Sequence, residues 1–340
     1  MKKLNFIDKI IYLLNGVAAL VLLLAYILPF VPPKNISILS VLSLSVPILV
    51  LLNICFCLYW VLKVKKQLLL SFVVLICGYS SFSTLYRFSS LETDIQENDL
   101  SVMSYNVRLF NIFDWIDKPN IVNKIQQFVL KEDVDVVAFQ EFNSHKDFNL
   151  PNYNYRYKSL SNSKIKYGQA IFSKNKIINK GEIKFLNTNN KAIYIDIVKR
   201  VDTIRIYNIH FESLHINPDF KYLSEQNTEY LVGKIGSRFE MQQEQAELIL
   251  KHQKQCSYKK IILGDFNNTA YSYVYKQFKK EAYKDAFVVA GNGFGRTFDF
   301  KFFPLRIDFI LADKNLEVIE YSSFSQKYSD HYPIVAKFSF

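Results

Sequence analysis

The chain has 340 residues, and its 42 Lys and Arg against 31 Asp and Glu give a formal net charge of +11. Hydrophobic residues make up 50% of the sequence, yet the mean hydropathy is only +0.03. These values exclude a disordered chain and a collagen-like chain. Four cysteines, of which only Cys256 lies beyond residue 87, also exclude a disulfide scaffold.

The hydropathy is an average over two unlike segments. Residues 1–87 hold eight Lys or Arg and one acid, whereas residues 88–340 hold 34 Lys or Arg and 30 acids. The first segment contains three uncharged runs, of 24, 28 and 20 residues. Gly78 and several Ser and Thr make the third run the weakest, and a cleaved signal peptide is the alternative for the first. Because a helix needs roughly 20 apolar residues to cross a bilayer, we predict a membrane domain over residues 1–87 with transmembrane helices at about 10–30, 36–62 and 67–86.

Basic residues predict the orientation of these helices. Three Lys lie within residues 2–9 and three within residues 63–66, whereas the connection between the first two runs carries only Lys34. Lys and Arg are enriched on the cytoplasmic side of membrane proteins. We therefore expect a multi-pass protein of the cytoplasmic (inner) membrane, with a cytoplasmic N-terminus. The rest of the chain after residue 87, called the body here, would be extracytoplasmic. If the third run does not cross, the body would be cytoplasmic.

Strand and helix patterns alternate in the body, which follows a short polar linker over residues 88–99. Two stretches have helical spacing, Ile121–Leu130 and Thr228–His252. Eight short runs are strand-like: Leu100–Val107, Val134–Phe139, Ala170–Phe172, Ala192–Val198, Thr203–His210, Lys260–Leu263, Ile307–Leu311 and Pro333–Phe338. This arrangement predicts a layered α/β domain over residues 100–340, with two sheets packed together.

Polar clusters stand at the ends of these apolar runs, where strands deliver side chains to one rim of a sheet. Carboxylate and amide oxygens suit a hard cation such as Mg²⁺ or Mn²⁺, and His suits proton transfer or stabilisation of an oxyanion. The combination predicts metal-assisted hydrolysis of a phosphoester. Taken singly, each cluster is more often a turn, a helix cap or solvated surface. The clusters read SYNVR, QE, NIH, GDFN, RIDFIL and SDHYPI in chain order.

Taken together and in this order, the six motifs resemble those of the endonuclease/exonuclease/phosphatase superfamily, also called deoxyribonuclease-I-like. The resemblance covers roughly residues 100–340. It implies a four-layer α/β/β/α sandwich of two mixed sheets flanked by helices. It also implies hydrolysis of a phosphodiester or phosphomonoester with a divalent metal, Mg²⁺ (or Mn²⁺).

The resemblance implies roles for individual residues in the metal site. Glu141 corresponds to the main metal-binding carboxylate, and Asn106 to the amide that helps to hold the metal site. Asp330 would support this site or hold a second metal ion.

The same resemblance implies five catalytic residues. His331 would activate water or stabilise the pentacovalent phosphorus, and Asp308 would orient it. Asp265 would position or deprotonate water, while Asn267 would donate to a phosphate oxygen. His210 matches the histidine of the deoxyribonuclease, sphingomyelinase and inositol-phosphatase branches, which makes an abasic-site endonuclease less favoured.

Two arginines are further candidates for contact with the substrate phosphate. Arg108 follows the Asn106 motif, and Arg238 lies on the long helical stretch. The alternative for each is an ordinary surface arginine.

The charge distribution bears on the substrate. Most of the net charge belongs to residues 1–87, so the body offers few cations for the several phosphates that a nuclease must neutralise. A tethered, outward-facing site favours a lipid-linked phosphate ester, with the bilayer as a partner. A membrane-tethered or exported nuclease acting on DNA or RNA is the alternative. A catalytically inactive binding domain is a minor alternative, because the sequence keeps the expected residue at every catalytic position that the motifs match.

Three loops are expected to carry specificity: Asn143–Leu150, Leu214–Asn227 and Gly291–Phe303. The last of them is rich in aromatic residues that would form a lip against lipid or, equally, pack in the core: Phe294, Phe298, Phe300, Phe302 and Phe303.

Overall fold

The structure is a computed structural model that describes residues 4–88, 99–145, 147–162, 164–214, 227–281, 283–301 and 303–339. Most of the predicted linker, most of the Leu214–Asn227 loop and Phe302 therefore lie outside the described residues. An N-terminal group of helices (the head) precedes the α/β body. The head contains α1 (Phe6–Ile27), α2 (Ser37–Ser40), α3 (Val46–Leu62), α4 (Leu68–Cys77) and α5 (Tyr79–Phe82).

Two stretches of the head are long and apolar enough to cross a membrane, Phe6–Phe30 and Ser37–Leu62, with mean hydropathies of 2.4 and 2.5. The prediction of a third helix of this length is wrong for the described residues, because α4 has only ten residues and Gly78 separates it from the short α5. Gly78 ends α4, as expected of the residue with the lowest helix propensity after proline. Its lack of a side chain is also needed, since a Cβ would lie 2.0 Å from the Tyr26 hydroxyl.

Polar side chains join the three longer helices of the head. Asn15 donates from Nδ2 to Ser71 Oγ at 2.6 Å, and Ser71 Oγ donates to Asn53 Oδ1 at 3.1 Å. Trp60 Nε1 donates to Asn15 Oδ1 at 2.9 Å. All four side chains are fully buried. Hydrogen bonds of this kind hold helices together where apolar contact with lipid offers no driving force.

The body has two six-stranded sheets among the described residues. The first has the strand order β11-β12-β1-β2-β4-β3 and the second β5-β6-β7-β8-β10-β9. The pairs β1–β2 and β7–β8 are parallel and the others antiparallel, so both sheets are mixed. The strands are β1 (Leu100–Asn106), β2 (Val136–Asn143), β3 (Tyr155–Leu160), β4 (Tyr167–Ser173), β5 (Ile177–Lys184), β6 (Lys191–Lys199), β7 (Asp202–His210), β8 (Lys259–Asp265), β9 (Tyr283–Asp285), β10 (Asp308–Asp313), β11 (Glu317–Ser323) and β12 (Ile334–Ser339).

Helices cover the outer face of each sheet. α6 (Ile121–Glu132) packs through Ile125 and Val129 on the first sheet. On the second sheet lie α7 (Thr228–Gln253) and α8 (Tyr273–Lys280), while the short α9 (Ala286–Ala290) contributes to the core between the sheets. The order helix, sheet, sheet, helix agrees with the predicted four-layer sandwich. The predicted helices differ from α6 and α7 only by one or two residues at their ends.

Side-chain alternation directs one face of each sheet into the core between the sheets. In β1, Leu100 and Val102 belong to this central core, and in β10 Ile310 and Ala312 do. Continuing the same alternation to the strand ends places polar residues on the inner face at one edge: Asn106, Gln140, Asn208, Asp265 and Asp308. The strand pattern therefore gathers these polar groups between the two sheets.

The head contacts the body through the α1–α3 connection and the segment after α5. Lys34 donates its backbone N–H to Gln243 Oε1 on α7 at 3.1 Å. Arg87 and Gly293 exchange two backbone hydrogen bonds, of 2.9 and 2.8 Å. Tyr271 of the body is buried among apolar residues of the head. The body thus lies at the end of the helices opposite to the basic residues 63–66.

Candidate active site

The six motifs place their polar residues at one edge of the two sheets. Asn106, His210 and Asp265 are the last residues of β1, β7 and β8, and Asp308 is the first residue of β10. β10 runs antiparallel to β8, so its first residue lies opposite the last residue of β8. His331 precedes β12, which enters the first sheet from the same edge.

Backbone irregularities aim two of these side chains. The register of β2 against β4 shifts between Phe139 and Phe142, which makes Glu141 part of a β-bulge with a φ of 48°. Asn267 has the same left-handed φ of 48°. Bulges and left-handed backbone at residues other than glycine are concentrated at functional sites, where they redirect side chains.

Gly264 allows the close approach of β8 to β7 next to Asp265. Its φ is +137°, and a Cβ at this position would lie 2.0 Å from the Ile209 carbonyl oxygen. A residue with a side chain cannot be accommodated there without movement of the backbone.

His331 is held between two buried carboxylates. Its Nδ1 donates to Asp308 Oδ2 at 2.9 Å, and its Nε2 lies 3.6 Å from Asp265 Oδ2. Burial acts to lower the pKa of His331, but Asp308 and Asp265 together raise it well above its usual value. Desolvation raises the pKa of Asp265 to about 6, although His331 opposes this shift. This side of the site thus holds a charged imidazole beside a carboxylate with a raised pKa.

On the other side of the site, Asn106 donates hydrogen bonds to the carboxylates of Glu141 and Asp265. Its Nδ2 donates to Glu141 Oε1 at 3.2 Å and to Asp265 Oδ2 at 3.0 Å. His210 Nε2 lies 3.8 Å from the same two oxygen atoms. Desolvation raises the pKa of Glu141, and His331 partly offsets it. Both carboxylates thus lie in surroundings that disfavour their ionised form.

The donor set fits a divalent cation. Ligand atoms of Asp265, Asp308 and His331 lie within 4.8 Å of one another, and all three residues are buried. Together with Glu141 they place three carboxylates in a small volume, which is unfavourable unless positive charge compensates them. A hard cation prefers these oxygen ligands.

Three further candidates lie close to this cluster. Asn267 donates its backbone N–H to Asp265 Oδ1 at 2.8 Å, and its Nδ2 to the Phe211 carbonyl at 3.0 Å. Arg108 Nε forms an ion pair with Asp330 Oδ2 at 3.2 Å, and both side chains are partly exposed. The guanidinium also stacks on the Trp115 ring at 4.5 Å. Arg108 and Asp330 therefore form a pair beside the carboxylate cluster.

Arg238 does not contact the other candidate residues. Its Nη1 donates to Glu212 Oε1 at 2.8 Å, so this arginine is already paired. The link to the site is indirect, because Gln242, one turn further along α7, donates to the carbonyls of Glu212 and Asn267. Of the predicted aromatic lip, Phe298 packs its ring on His331 with 4.9 Å between centroids, and Phe294 packs on Tyr86 of the head.

A buried amide network behind the site was not predicted. Asn208 Oδ1 accepts from Gln140 Nε2 at 2.7 Å and, more weakly, from Gln169 Nε2. Asn208 in turn donates to the Phe139 carbonyl at 2.9 Å, so the network ties the two sheets together. Gln140 belongs to the QE motif and Asn208 to the NIH motif. Both continue the inward-facing positions of their strands, and this alternation could have predicted that they lie between the sheets. Gln169 lies on the same inward face of β4 as Ile171, but it belongs to none of the six motifs.

Comparison with known proteins identifies the family. A profile described as "Endonuclease/Exonuclease/phosphatase family" matches residues 103–331, more than half of the chain. The chain belongs to this family. Members of the family hydrolyse phosphoester bonds with the help of divalent metal ions, and the protein is accordingly a metal-dependent phosphoric ester hydrolase. Residues 8–85 match a second profile, described as a domain of unknown function (DUF8431). No match was found among curated proteins.

Solved structures share the fold at low sequence identity. The human Nocturnin catalytic domain has a TM-score of 0.55 and 19% identity, covering 73% of this chain and 96% of that one. An endonuclease/exonuclease/phosphatase from Bacteroides vulgatus has a TM-score of 0.57 and 18% identity, covering 72% and 99%. A mannosyl-6-phosphatase of Bacteroides thetaiotaomicron has a TM-score of 0.53 and 21% identity, covering 71% and 100%. Because all three are less than 25% identical to this chain, the likeness establishes the fold and not the substrate.

Proposed function

We propose that the protein is a membrane-anchored, Mg²⁺-dependent phosphoesterase that hydrolyses a lipid-linked phosphate ester outside the cytoplasm. The observation that carries this proposal is that residues in contact with the head lie only a few positions along the chain from the catalytic residues. Asp265 and Asn267 are followed within a few residues by Tyr271, which packs among head residues. Arg306, two residues before Asp308, donates from Nη2 to the Thr84 carbonyl of the head at 3.0 Å.

This arrangement favours a substrate at the membrane surface. Two catalytic strands, β8 and β10, reach the head at the same edge at which their carboxylates meet. If the head spans a bilayer, the active site faces the layer of lipid head groups. A phosphoester embedded in that layer reaches the site without leaving the membrane, whereas a nucleic acid would have to approach a body of low net charge.

The position of the body supports an extracytoplasmic active site. It contacts the α1–α3 connection and the segment after α5, while the basic residues 63–66 lie at the far end of the helices. Although α4 is short, the chain from Lys66 to Arg87 therefore runs from the basic end to the body end. Basic clusters favour the cytoplasmic side, which leaves the body on the other side.

The site suggests how the chain binds and activates the phosphoester. Ligand atoms of Asp265, Asp308 and His331 lie close together, but His331 already donates to Asp308 and is kept charged, so it cannot ligate a metal ion. We therefore assign the divalent metal ion to Glu141 and Asn106, where it would neutralise charge on the phosphate. His331, kept charged by Asp308 and Asp265, would stabilise the negative charge that develops on the phosphoryl oxygens. We assign the amide of Asn267 and the side chain of His210 to the same phosphate. Arg108, with Asp330, lies at the edge of the site as a further contact.

Proton transfer is assigned to Asp265. Burial raises the pKa of the Asp265 carboxyl, which makes its carboxylate more basic than that of an exposed aspartate and suits it to accept a proton from attacking water. Asn106 and the backbone N–H of Asn267 fix this carboxylate from two directions. Asp308 acts through His331, whose ring it orients.

The experiment is a substrate screen on the detergent-solubilised full chain. Lipid phosphomonoesters and phosphodiesters are compared with single- and double-stranded DNA in the presence of Mg²⁺. We expect hydrolysis of a lipid substrate, its loss in EDTA and its recovery with Mg²⁺ or Mn²⁺. Cleavage of DNA alone would replace the proposal by the nuclease alternative. Full activity in EDTA would refute the assigned site chemistry.

A further inference from the structure

A cleft lined mainly by polar residues opens beside the catalytic residues. It has a volume of about 140 Å³ and is bordered on one side by Glu141 and His210. The other walls come from the β3–β4 hairpin, with Asn162, Tyr167 and Gln169, and from the start of β6 with the turn before it. The wall at the start of β6 consists of Asn189, Asn190 and Lys191. We propose that the cleft binds an uncharged, hydroxyl-rich group, such as a sugar or polyol, attached to the phosphate that is hydrolysed.

The charge of the cleft excludes a second phosphate as its preferred occupant. Lys191 is the one Lys or Arg among the described residues that line it. Its Nζ lies 3.2 Å from Glu182 Oε2 and donates to Ser159 Oγ at 2.9 Å, so its charge is already compensated. Because the metal ion assigned to Glu141 would be engaged by the hydrolysed phosphate, an anionic group next to that phosphate would find no uncompensated Lys or Arg among the described residues that line the cleft.

The amides of the cleft match hydroxyl groups. Each side-chain amide offers both a donor and an acceptor, and a hydroxyl group can satisfy either. Asn162 and Asn189 are exposed to the cleft from opposite walls. The ring of Tyr167 adds an apolar surface beside them, which suits the C–H face of a sugar ring.

Gln169 supplies an acceptor that lacks a partner. The residue is 2% exposed, and its Nε2 donates to the Asn208 carbonyl at 3.1 Å, which fixes the orientation of the amide. Among the described residues, no donor reaches its Oε1. A buried acceptor without a donor costs free energy. The oxygen itself is not open to the cleft, so the direct contacts with a bound hydroxyl group are assigned to Asn162 and Asn189.

This inference rests on the proposed phosphoesterase function and names the group attached to the phosphate. The test compares soluble esters in matched pairs with the full-length solubilised protein and Mg²⁺. The monoesters are a hexose monophosphate and p-nitrophenyl phosphate, and the diesters are glycerophosphoinositol and bis(p-nitrophenyl) phosphate. A dinucleotide is the third type of probe. We expect the member of each pair that carries a sugar or polyol to have the higher kcat/KM.

A double variant connects this preference to the cleft. Asn162→Ala with Asn189→Ala should lower kcat/KM for the sugar or polyol ester by roughly tenfold, the effect of losing two modest hydrogen bonds. It should leave the p-nitrophenyl ester unchanged. Asn315→Ala, an exposed asparagine in the β10–β11 turn at the far end of β10, is the matched control and should change neither.

The outcomes separate this inference from the function on which it rests. Equal hydrolysis of both members of a pair by the parent protein, or a uniform loss in the double variant, would overturn the sugar or polyol assignment and leave the phosphoesterase in place. Hydrolysis of the dinucleotide alone would overturn the lipid-linked phosphoesterase as well.

Discussion

The residues of the active site share one position in the alternation of their strands. Asn106, Asp265 and Asp308 continue the inner face of β1, β8 and β10 beyond the apolar core, which is why all three point between the sheets. A sequence shows this alternation directly, so the cluster was predictable. The ion-pair partners of the candidate arginines were not predictable. The pairs of Arg108 with Asp330 and of Arg238 with Glu212 depend on the paths of loops, which the alternation of strand residues does not determine.

At this scale we predict that Glu141→Ala and His331→Ala each lower kcat by on the order of a hundredfold or more, since each removes a group that acts on the charged phosphate. Asp308→Asn should cost less than His331→Ala, because it weakens the orientation of the imidazole and leaves the ring in place. Steady-state kinetics on the substrate found in the screen measure these effects.

Glu317→Ala, which changes an exposed carboxylate on β11, is the control for the loss of a glutamate and should retain full activity. The unfolding temperature of each variant reports whether the fold is kept. Near-normal turnover by Glu141→Ala would show that the site has been assigned to the wrong residues.

The strands that the sequence pattern did not predict are the four edge strands. β3 and β11 border the first sheet, and β5 and β9 border the second. Central strands have both faces covered and read as apolar runs, whereas an edge strand such as β5, with the sequence IINKGEIK, carries charged residues that protect its open side. The eight central strands were therefore recognisable, and the edges were not.

Gly264 provides a prediction for the element that carries Asp265. Gly264→Ala should destabilise the body by on the order of 3 kcal/mol or more, because its Cβ would overlap the Ile209 carbonyl and its φ of +137° is strained for any other residue. Gly233→Ala is the matched control, since a Cβ there meets no atom within 4 Å.

In the control, alanine replaces glycine inside the α7 helix and should raise stability by about 0.5–1 kcal/mol. Both free energies of unfolding come from denaturant titration followed by circular dichroism. A Gly264→Ala variant as stable as the parent would contradict the close approach of β7 and β8.

For the whole molecule, the proposed membrane topology decides the side on which the active site would work, because it depends on how many times the head crosses. Apolar length predicted the first two long helices correctly. It overestimated the length of the third helix, because a hydropathy average does not show that Gly78 packs against Tyr26 and ends α4. The path from Lys66 to Arg87 nevertheless leads from one end of the head to the other.

We predict that a reporter active only after export is active when fused after Arg87 and silent when fused after Lys66. A fusion after Asn35, in the α1–α3 connection, is the positive control and should be active. Silence after Arg87 together with activity after Asn35 would mean that the third segment does not cross, and the search for substrates would move to the cytoplasm.

The polar cluster of the head implies an order of assembly. In the proposed membrane-spanning head, Trp60 Nε1 donates to Asn15 Oδ1 between α1 and α3, so these two helices can enter lipid as a hairpin. Asn15 Nδ2 and Asn53 Oδ1 gain their partner only from α4. α4, with ten residues, gains little from lipid by itself. Its Ser71 accepts from Asn15 and donates to Asn53, each in one arm of that hairpin. If the head spans a membrane as proposed, the first two helices recruit the third, and the catalytic domain is drawn to its place on the membrane only when that last helix has joined them.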